Sequence, residues 1–228
     1  MYKYELHAHT AEVSKCAASP AADTVRLYRE HGYDGLVVTD HYSPMTFMDR
    51  NFLAPQKDAD FFLSGYKNAL AAADNDFTVL LGMEIRFYGN GNDYLVYGVD
   101  EDFIRSNGNL MLYYPRRFHS LTQKNDMIFV QAHPFRPYIF RTNPRYLDGC
   151  EIYNAKNSED GINEKALAWA DKHNMKVRTG GADFHRESHI GNMSGIMTDI
   201  RINNNQDLIK VLKNGDFEII KKPEKAKE

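Results

Sequence analysis

The sequence predicts a single α/β domain whose mostly parallel sheet closes into a (β/α) barrel. Apolar, β-branched runs alternate along the chain with helical segments, which is typical of parallel strands covered by helices. Several of the predicted strands end in His, Asp or Glu; a barrel gathers such side chains at one rim, whereas an open doubly wound sheet spreads them along an edge. The chain has 228 residues, enough to bury one sizeable core. We predict one barrel domain over residues 1–220 and a charged tail over residues 221–228.

The strands are predicted where apolar runs occur. The first, over residues 3–6, alternates apolar and polar residues and leads directly into the histidines of HAHT. The second, over residues 35–39, is almost wholly apolar, as expected for a strand buried on both faces, and it ends in Asp40-His41. The same criteria predict further strands at residues 78–85, 94–97, 127–131, 151–153, 176–179, 195–197 and 217–220.

Helices are predicted between these strands. Ser19 supplies an N-cap and Pro20 a first-turn proline, so the first helix is predicted to begin there. It is predicted to end before Gly32, a residue that favours helix termination. The pattern of apolar residues predicts further helices at residues 58–73, 116–124, 164–173 and 206–213.

Composition excludes several classes of protein. With 28 Lys and Arg against 31 Asp and Glu, the net charge is −3, which argues against a nucleic-acid binder that relies on bulk charge. Cys16 and Cys150 are far apart and exclude a disulfide framework. The sequence contains neither a secretory leader nor an apolar run of roughly 18 residues, so we expect a cytoplasmic protein that does not enter membranes.

The chemistry of the chain is concentrated near the strand ends, where nine imidazole and carboxylate side chains occur. Buried together, such groups repel one another or lack partners unless cations neutralise them. In His7-Ala8-His9 both rings point to the same side of an extended chain, and Asp183-Phe184-His185 repeats this spacing. Imidazole with carboxylate suits zinc, manganese or iron, and Cys16 is a possible soft ligand. The nine candidates are His7, His9, Glu12, His41, Glu84, Asp93, His133, Asp183 and His185.

Five motifs in order carry a resemblance to a known family. They are ELHAHT (5–10), VVTDH (37–41), LLGMEI (80–85), QAHPFR (131–136) and GGADFH (180–185). Together they resemble the PHP family, the polymerase and histidinol phosphatase domain. The resemblance implies a distorted (β/α)7 barrel of the PHP type, with two or three divalent metal ions at the C-terminal ends of the strands and hydrolysis of phosphate esters.

The resemblance also implies a role for each candidate ligand. A first metal would take His7, His9, Glu84 and Asp183; Glu84 would bridge to a second metal, held also by His133 and Asp93; a third would take His41, His185 and Glu12. Asp93 stands where many members have histidine, and Lys15 stands where an acid is usual. We expect attack by a metal-bridging hydroxide, without a separate nucleophilic side chain.

Phosphate also needs fixed donors, and three basic residues lie next to the metal motifs: Arg136, Arg186 and Lys15. The expected substrate is a small phosphorylated metabolite or a nucleotide. Nucleic acid is not expected as a partner, except as a nucleotide or short oligonucleotide substrate. Specificity is expected in loops 42–56 and 135–145, whose aromatic residues could contact substrate or cap the core.

Two alternatives remain open. One is a metal-dependent amidohydrolase, a class that usually wants a strand lysine at its metals, and no predicted strand ends in lysine. The other is a non-catalytic, metal-binding regulatory domain.

Overall fold

The structure is a computed structural model that describes residues 1–157 and 161–222. The predicted tail therefore lies outside the described residues from 223 onward. The strands within the described ranges are β1 (Tyr2–Ala8), β2 (Gly35–Val38), β3 (His41–Tyr42), β4 (Thr78–Arg86), β5 (Asp93–Tyr97), β6 (Ile128–Gln131), β7 (Gly149–Asn154), β8 (Val177–Gly181), β9 (Gly195–Thr198) and β10 (Glu218–Ile220). The helices are α1 (Ala21–Glu30), α2 (Ala59–Phe62), α3 (Ser64–Ala72), α4 (Glu101–Ser106), α5 (Pro115–Lys124), α6 (Ile162–Lys172) and α7 (Asn205–Asn214).

The strands form one sheet that curls into a nearly closed barrel. Its order is β10-β9-β1-β2-β4-β5-β6-β7-β8, and β3 pairs with β4. The barrel closes where β1 approaches the segment after β8, and β9 and β10 continue the sheet beyond β1. There the Phe184 N–H donates to the His7 carbonyl (3.0 Å), and the His9 N–H donates to the Phe184 carbonyl (2.9 Å). The Ala182 N–H also donates to a carboxylate oxygen of Glu5 (2.9 Å). The predicted α/β barrel is confirmed.

The barrel is distorted because two of its strands run against the others. β1, β2 and β4 are parallel, as are β6, β7 and β8, but β5 is antiparallel to both its neighbours and β9 is antiparallel to β1. A tight connection over residues 87–92, with Gly89 at φ +72°, returns the chain from β4 directly into β5, so that pair is a hairpin. The described residues include ten strands where the resemblance implies seven, the short β3 and β10 among them.

The helices cover the outside of the sheet through apolar faces. α1 buries Val25 and Tyr28 and ends before Gly32, whose φ of +73° suits the predicted stop. The helix predicted over residues 58–73 is divided into α2 and α3, and α4 was not predicted. Its N-cap Asp100 accepts a hydrogen bond from the Phe103 N–H (2.7 Å). In the described ranges, no helix has the length and apolar character to cross a bilayer.

Replacement of Gly149 by alanine is expected to destabilise the barrel. Gly149 lies in β7 opposite Val177 of β8, and a Cβ at this position would collide with the Val177 carbonyl oxygen. We expect the free energy of unfolding to fall by at least about 2 kcal/mol in urea denaturation. Gly108→Ala is the control, since a Cβ there meets no atom within 4 Å, and it should change stability by less than about 0.5 kcal/mol. Equal stabilities of the two variants would contradict this view of β7 and β8.

Candidate active site

Eight of the nine predicted ligands converge at one rim of the barrel. The parallel strands deliver most of them at their C-terminal ends, and β5 contributes its first residue because it runs in the opposite direction. The eight fall into overlapping groups whose nitrogen and oxygen atoms lie within 4.8 Å of one another. The residues brought together are His7, His9, His41, Glu84, Asp93, His133, Asp183 and His185.

Glu84 occupies the middle of this cluster. Its side chain is 1% exposed, and its two oxygens face four imidazoles: His7 in β1, His9 just after β1, His41 in β3 and His133 after β6. Oε1 lies 3.4 Å from His7 Nε2 and 3.1 Å from His133 Nε2, while Oε2 lies 3.4 Å from His9 Nε2 and 2.8 Å from His41 Nδ1. The carboxylate of Glu84 therefore lies between two pairs of imidazoles, with one oxygen facing each pair.

Hydrogen bonds at Nδ1 fix the orientation of three imidazoles. His7 Nδ1 is 2.9 Å from Glu151 Oε1, and His185 Nδ1 is 2.7 Å from the Asp183 carbonyl oxygen; both partners are acceptors, so the rings donate. His9 Nδ1 lies 3.2 Å from Ser14 Oγ, whose own proton goes to Asp40 (2.7 Å). In its neutral form each ring therefore carries its proton on Nδ1 and presents the lone pair of Nε2.

Electrostatics within the cluster favour charged carboxylates. Burial alone would raise the pKa of Glu84, but the imidazoles of His41 and His7 outweigh it and hold that pKa well below its usual range. Burial likewise opposes ionisation of Asp183, yet His7, His9 and Lys156 keep its pKa well below the ordinary value.

The histidines respond differently to their surroundings. Burial opposes protonation of His7, but the carboxylates of Glu151, Glu84 and Asp183 raise its pKa well above the usual value. Burial and the nearby His41 lower the pKa of His9 well below the usual value, so His9 is a neutral ring with an available lone pair.

Two site residues adopt strained backbone conformations. His133 has φ +28° and Asp183 has φ +53°, values that non-glycine residues rarely adopt. Such conformations cost on the order of 1–3 kcal/mol each and persist where the surrounding structure enforces them. Here the His133 N–H donates to Glu151 Oε2 (2.9 Å), which fixes the turn that aims the imidazole at Glu84.

The donor set fits divalent cations. The Nε2 atoms of His7 and His9 are buried and have no hydrogen-bond partner within the described ranges 1–157 and 161–222. Buried polar atoms left unpaired are costly, and a cation accepting these lone pairs beside Glu84 and Asp183 removes that cost. Imidazole and carboxylate ligands suit zinc, manganese and iron. The site thus supports divalent-metal binding.

Four basic side chains surround the mouth of the cluster. A cavity of about 260 Å³ is lined by Lys15, Arg86, Arg136 and Lys156 together with His41, Asp183 and His185. Arg86 donates hydrogen bonds to both carboxylate oxygens of Asp93 (2.6 Å each), and Arg136 donates to the same carboxylate (2.9 Å). Lys15 pairs with Asp49 (2.6 Å) at the exposed edge. Of the three predicted phosphate donors, Arg136 and Lys15 line this cavity, whereas Arg186 is exposed and does not line it.

Glu12 is the predicted ligand that the structure places elsewhere. Both of its oxygens accept the Ala21 N–H (3.1 and 3.0 Å) at the start of α1, and Oε1 also accepts from Asn68 Nδ2 (3.1 Å). The turn after His9 directs this side chain back towards the helix, where a negative charge is favourable. The assignment of Glu12 to a third metal is therefore replaced by a role at the helix N-terminus.

Replacement of Glu12 by alanine tests this placement. We expect unchanged metal content, because the carboxylate lies outside the cluster, and a loss of about 1 kcal/mol in the free energy of unfolding, since the helix start loses its acceptor. Metal analysis and urea denaturation of the same preparation measure both. A loss of metal at unchanged stability would restore the ligand role.

Sequence reasoning missed three residues of the site. Arg86 lies two positions after Glu84 on β4, so the period-two rule for strands could have placed both on one face. Glu151 lies in β7 without a motif around it. Lys156 follows β7 in a short 3-10 turn, with Nζ 3.3 Å from Asp183 Oδ2, and no sequence signal pointed to it.

Similar proteins are found among solved structures only. No family model and no curated protein matches the sequence. Among solved structures, PsfC from Pseudomonas syringae PB-5123 has a TM-score of 0.66 at 17% identity and covers 98% of this chain and 93% of its own.

Two further solved structures are similar. A two-domain protein from Bacteroides vulgatus ATCC 8482, containing a predicted PHP-like metal-dependent phosphoesterase, has a TM-score of 0.65 at 12% identity over 97% of this chain. The lesion-specific endonuclease PfuEndoQ from Pyrococcus furiosus has a TM-score of 0.63 at 14% identity over 96% of this chain. The chain spans 65% of the former and 57% of the latter. It therefore has the fold of the PHP-like metal-dependent phosphoesterases, as the resemblance of its motifs predicts.

Proposed function

We propose that this protein is a metal-dependent phosphoesterase of the PHP family that hydrolyses a small phosphorylated metabolite or nucleotide. The observation that carries the proposal is the pairing of a buried imidazole and carboxylate cluster with four basic side chains around its mouth. The cluster suits divalent cations, and the basic side chains suit the oxygens of a phosphate group.

Each metal position has a proposed ligand set. The first takes His7, His9, Glu84 and Asp183, and the second takes Glu84, His133 and Asp93, as the resemblance implies and as the short contacts within each set allow. His41 and His185 are proposed for a third. When bound, the cations activate water and neutralise charge on the phosphate oxygens.

The side chains of the chain itself bind and orient the phosphate. Asp93 holds the guanidinium groups of Arg86 and Arg136 side by side, which leaves their remaining N–H donors available at the cavity. Guanidinium groups fixed in this way form paired hydrogen bonds with phosphate. Lys156, beside Asp183, adds a positive charge to the lining of the same cavity.

The shape of the surroundings favours a small substrate with an apolar portion. Next to the metal cavity lies an apolar groove of about 560 Å³, lined by Met45, Met48, Phe52 and Tyr88. Both spaces share Met45 and Arg86, so a phosphate at Arg86 would place its organic group on this groove. Among the loop aromatics, Phe47 is buried in the core, Phe52 lines the groove, and Tyr138 and Phe140 are exposed.

The experiment that tests the function measures hydrolysis of an aryl phosphate monoester. The full chain is stripped with a chelator and reloaded separately with manganese, iron(II) or zinc, and the stripped protein is the control. Phosphate release that depends on metal is expected. A parallel arm with single-stranded and duplex oligonucleotides tests the DNA chemistry named for the endonuclease neighbour. Fully metal-loaded protein that releases phosphate from no monoester would contradict the proposal.

Replacement of Arg136 by alanine is expected to weaken substrate binding. Losing a charge-assisted pair of hydrogen bonds should raise KM for the aryl phosphate at least about tenfold, measured by steady-state kinetics. Arg145→Ala is the matched control, because Arg145 is exposed and does not line the cavity. Equal KM values for the two variants would remove Arg136 from the phosphate site.

A second candidate function is hydrolysis of a C–N bond by an amidohydrolase mechanism. The observation that favours it is Lys156, which supplies a lysine beside Asp183 that the strand ends do not provide. Inorganic phosphate separates the candidates, since a phosphoesterase site binds it competitively with substrate. Turnover of amide substrates without inhibition by phosphate would favour this candidate.

A further inference from the structure

We propose that the thiolate of Cys16 is a ligand of the third metal, completing a cation position with the imidazoles of His41 and His185. The inference rests on the metal centre proposed above. It concerns a donor that the motifs do not assign, in the place where Glu12 was expected.

The loop that carries Cys16 is fixed on both sides by these two histidines. On one side, the Ala18 N–H donates to the His185 carbonyl oxygen (2.7 Å). On the other side, Ser14 Oγ accepts the His41 N–H (3.0 Å) and donates to Asp40 Oδ1 (2.7 Å). Cys16 lies between these anchors and lines the same cavity as His41 and His185. The backbone therefore holds the thiol at the metal cluster.

A group of imidazoles lies at this corner of the cluster. The ring nitrogens that His9, His41 and His185 offer lie within 4.8 Å of one another, and three imidazoles cannot satisfy one another as acceptors. His9 belongs both to this group and to the group proposed for the first metal, so the two positions adjoin. Glu12, the acid of the neighbouring loop, is turned away towards α1, whereas Cys16 lines the cavity.

The thiol has the chemistry of a ligand. The Cys16 side chain is exposed where it lines the cavity beside His41 and His185, so a cation can reach its thiol. The other cysteine differs in every respect: Cys150 is fully buried in β7, and burial raises its pKa to about 12. A thiolate among imidazoles selects zinc, cobalt or iron over manganese, which prefers oxygen ligands.

The test uses cobalt(II) as a spectroscopic probe in the stripped full-length chain. Thiolate coordination gives a sulfur-to-cobalt charge-transfer band in the near ultraviolet, whereas imidazole and carboxylate ligands alone do not. We expect the wild type and the control variant Cys150→Ala to show the band. Cys16→Ser should lose it and bind the last cobalt equivalent at least about tenfold more weakly, by competition with a chelator. Cys16→His should regain the affinity without the band.

The outcomes separate this inference from the metal centre as a whole. Two results would overturn the role of Cys16 alone. In the first, the wild type binds cobalt with the expected stoichiometry but shows no charge-transfer band. In the second, Cys16→Ser retains the band. A wild type that binds no cobalt would overturn the metal centre itself. Thiol labelling of unmutated protein is a second readout. The stripped chain should contain one accessible thiol, and zinc should slow the labelling of that thiol at least about tenfold. Equal labelling rates with and without zinc would contradict ligation.

Discussion

Replacement of Glu84 by glutamine is expected to abolish turnover and to remove metal from the site. The carboxylate faces His7, His9, His41 and His133 at 2.8–3.4 Å and is 1% exposed, so no other group of the cluster can take its place between them. Glutamine keeps the shape but loses the charge and turns N–H donors towards positions that require lone pairs. We expect at least a thousandfold loss of turnover, equivalent to about 4 kcal/mol.

The measurement combines steady-state hydrolysis of the aryl phosphate with metal analysis of the same preparation. Glu164→Gln, at an exposed position in the first turn of α6, is the matched control and should retain full activity and metal content. If the Glu84→Gln protein keeps both its metal and its activity, the proposal that Glu84 bridges two metal positions is wrong. If metal is kept and activity alone is lost, the carboxylate acts on the substrate instead of on the cations.

The side chains that the sequence grouped at strand ends lie together in the structure. Parallel strands place their C-terminal ends at one rim, so His7, Glu84 and His133 could be grouped without knowing any long-range contact. Asp93 was also grouped correctly, although it begins β5. The tight hairpin from β4 makes β5 run antiparallel to β4. The first residue of β5 therefore lies at the same rim as the last residues of the parallel strands.

Prediction failed where side-chain direction depends on turns. Glu12 and Cys16 both follow HAHT closely, and sequence spacing cannot tell which of them faces the metals. The hydrogen bonds of Ser14 to Asp40 and of Ala18 to His185 fix this loop, with Cys16 at the cavity and Glu12 at the start of α1. These contacts join segments far apart in the chain and leave no local signature.

Replacement of Glu151 by alanine is expected to damage both stability and metal affinity, although Glu151 is not proposed as a ligand. The side chain is fully buried. Oε1 accepts the proton of His7 Nδ1 (2.9 Å), and Oε2 accepts the His133 N–H and the Asn154 side-chain amide (2.9 Å each). One carboxylate therefore orients two proposed ligands, one in β1 and one in the segment after β6, and its truncation leaves three buried donors unpaired.

We expect the free energy of unfolding to fall by at least about 3 kcal/mol and metal affinity to fall 10- to 100-fold. Urea denaturation and chelator competition measure the two effects. Phe118→Ala is the control for stability alone: it removes a fully buried ring from the core beside α5, at a comparable cost of about 3–5 kcal/mol, without touching the cluster.

The conservative variant separates positioning from packing. Glu151→Gln keeps an oxygen that can accept from His7, but its amide nitrogen cannot accept the His133 N–H, so metal affinity should lie between that of wild type and of Glu151→Ala. If folded Glu151→Ala and Phe118→Ala bind metal with equal affinity, Glu151 serves packing alone. We expect metal affinity to fall in Glu151→Ala but not in Phe118→Ala, and to recover in part in Glu151→Gln. This pattern follows only if the buried carboxylate sets the direction in which His7 and His133 present Nε2 to the cations.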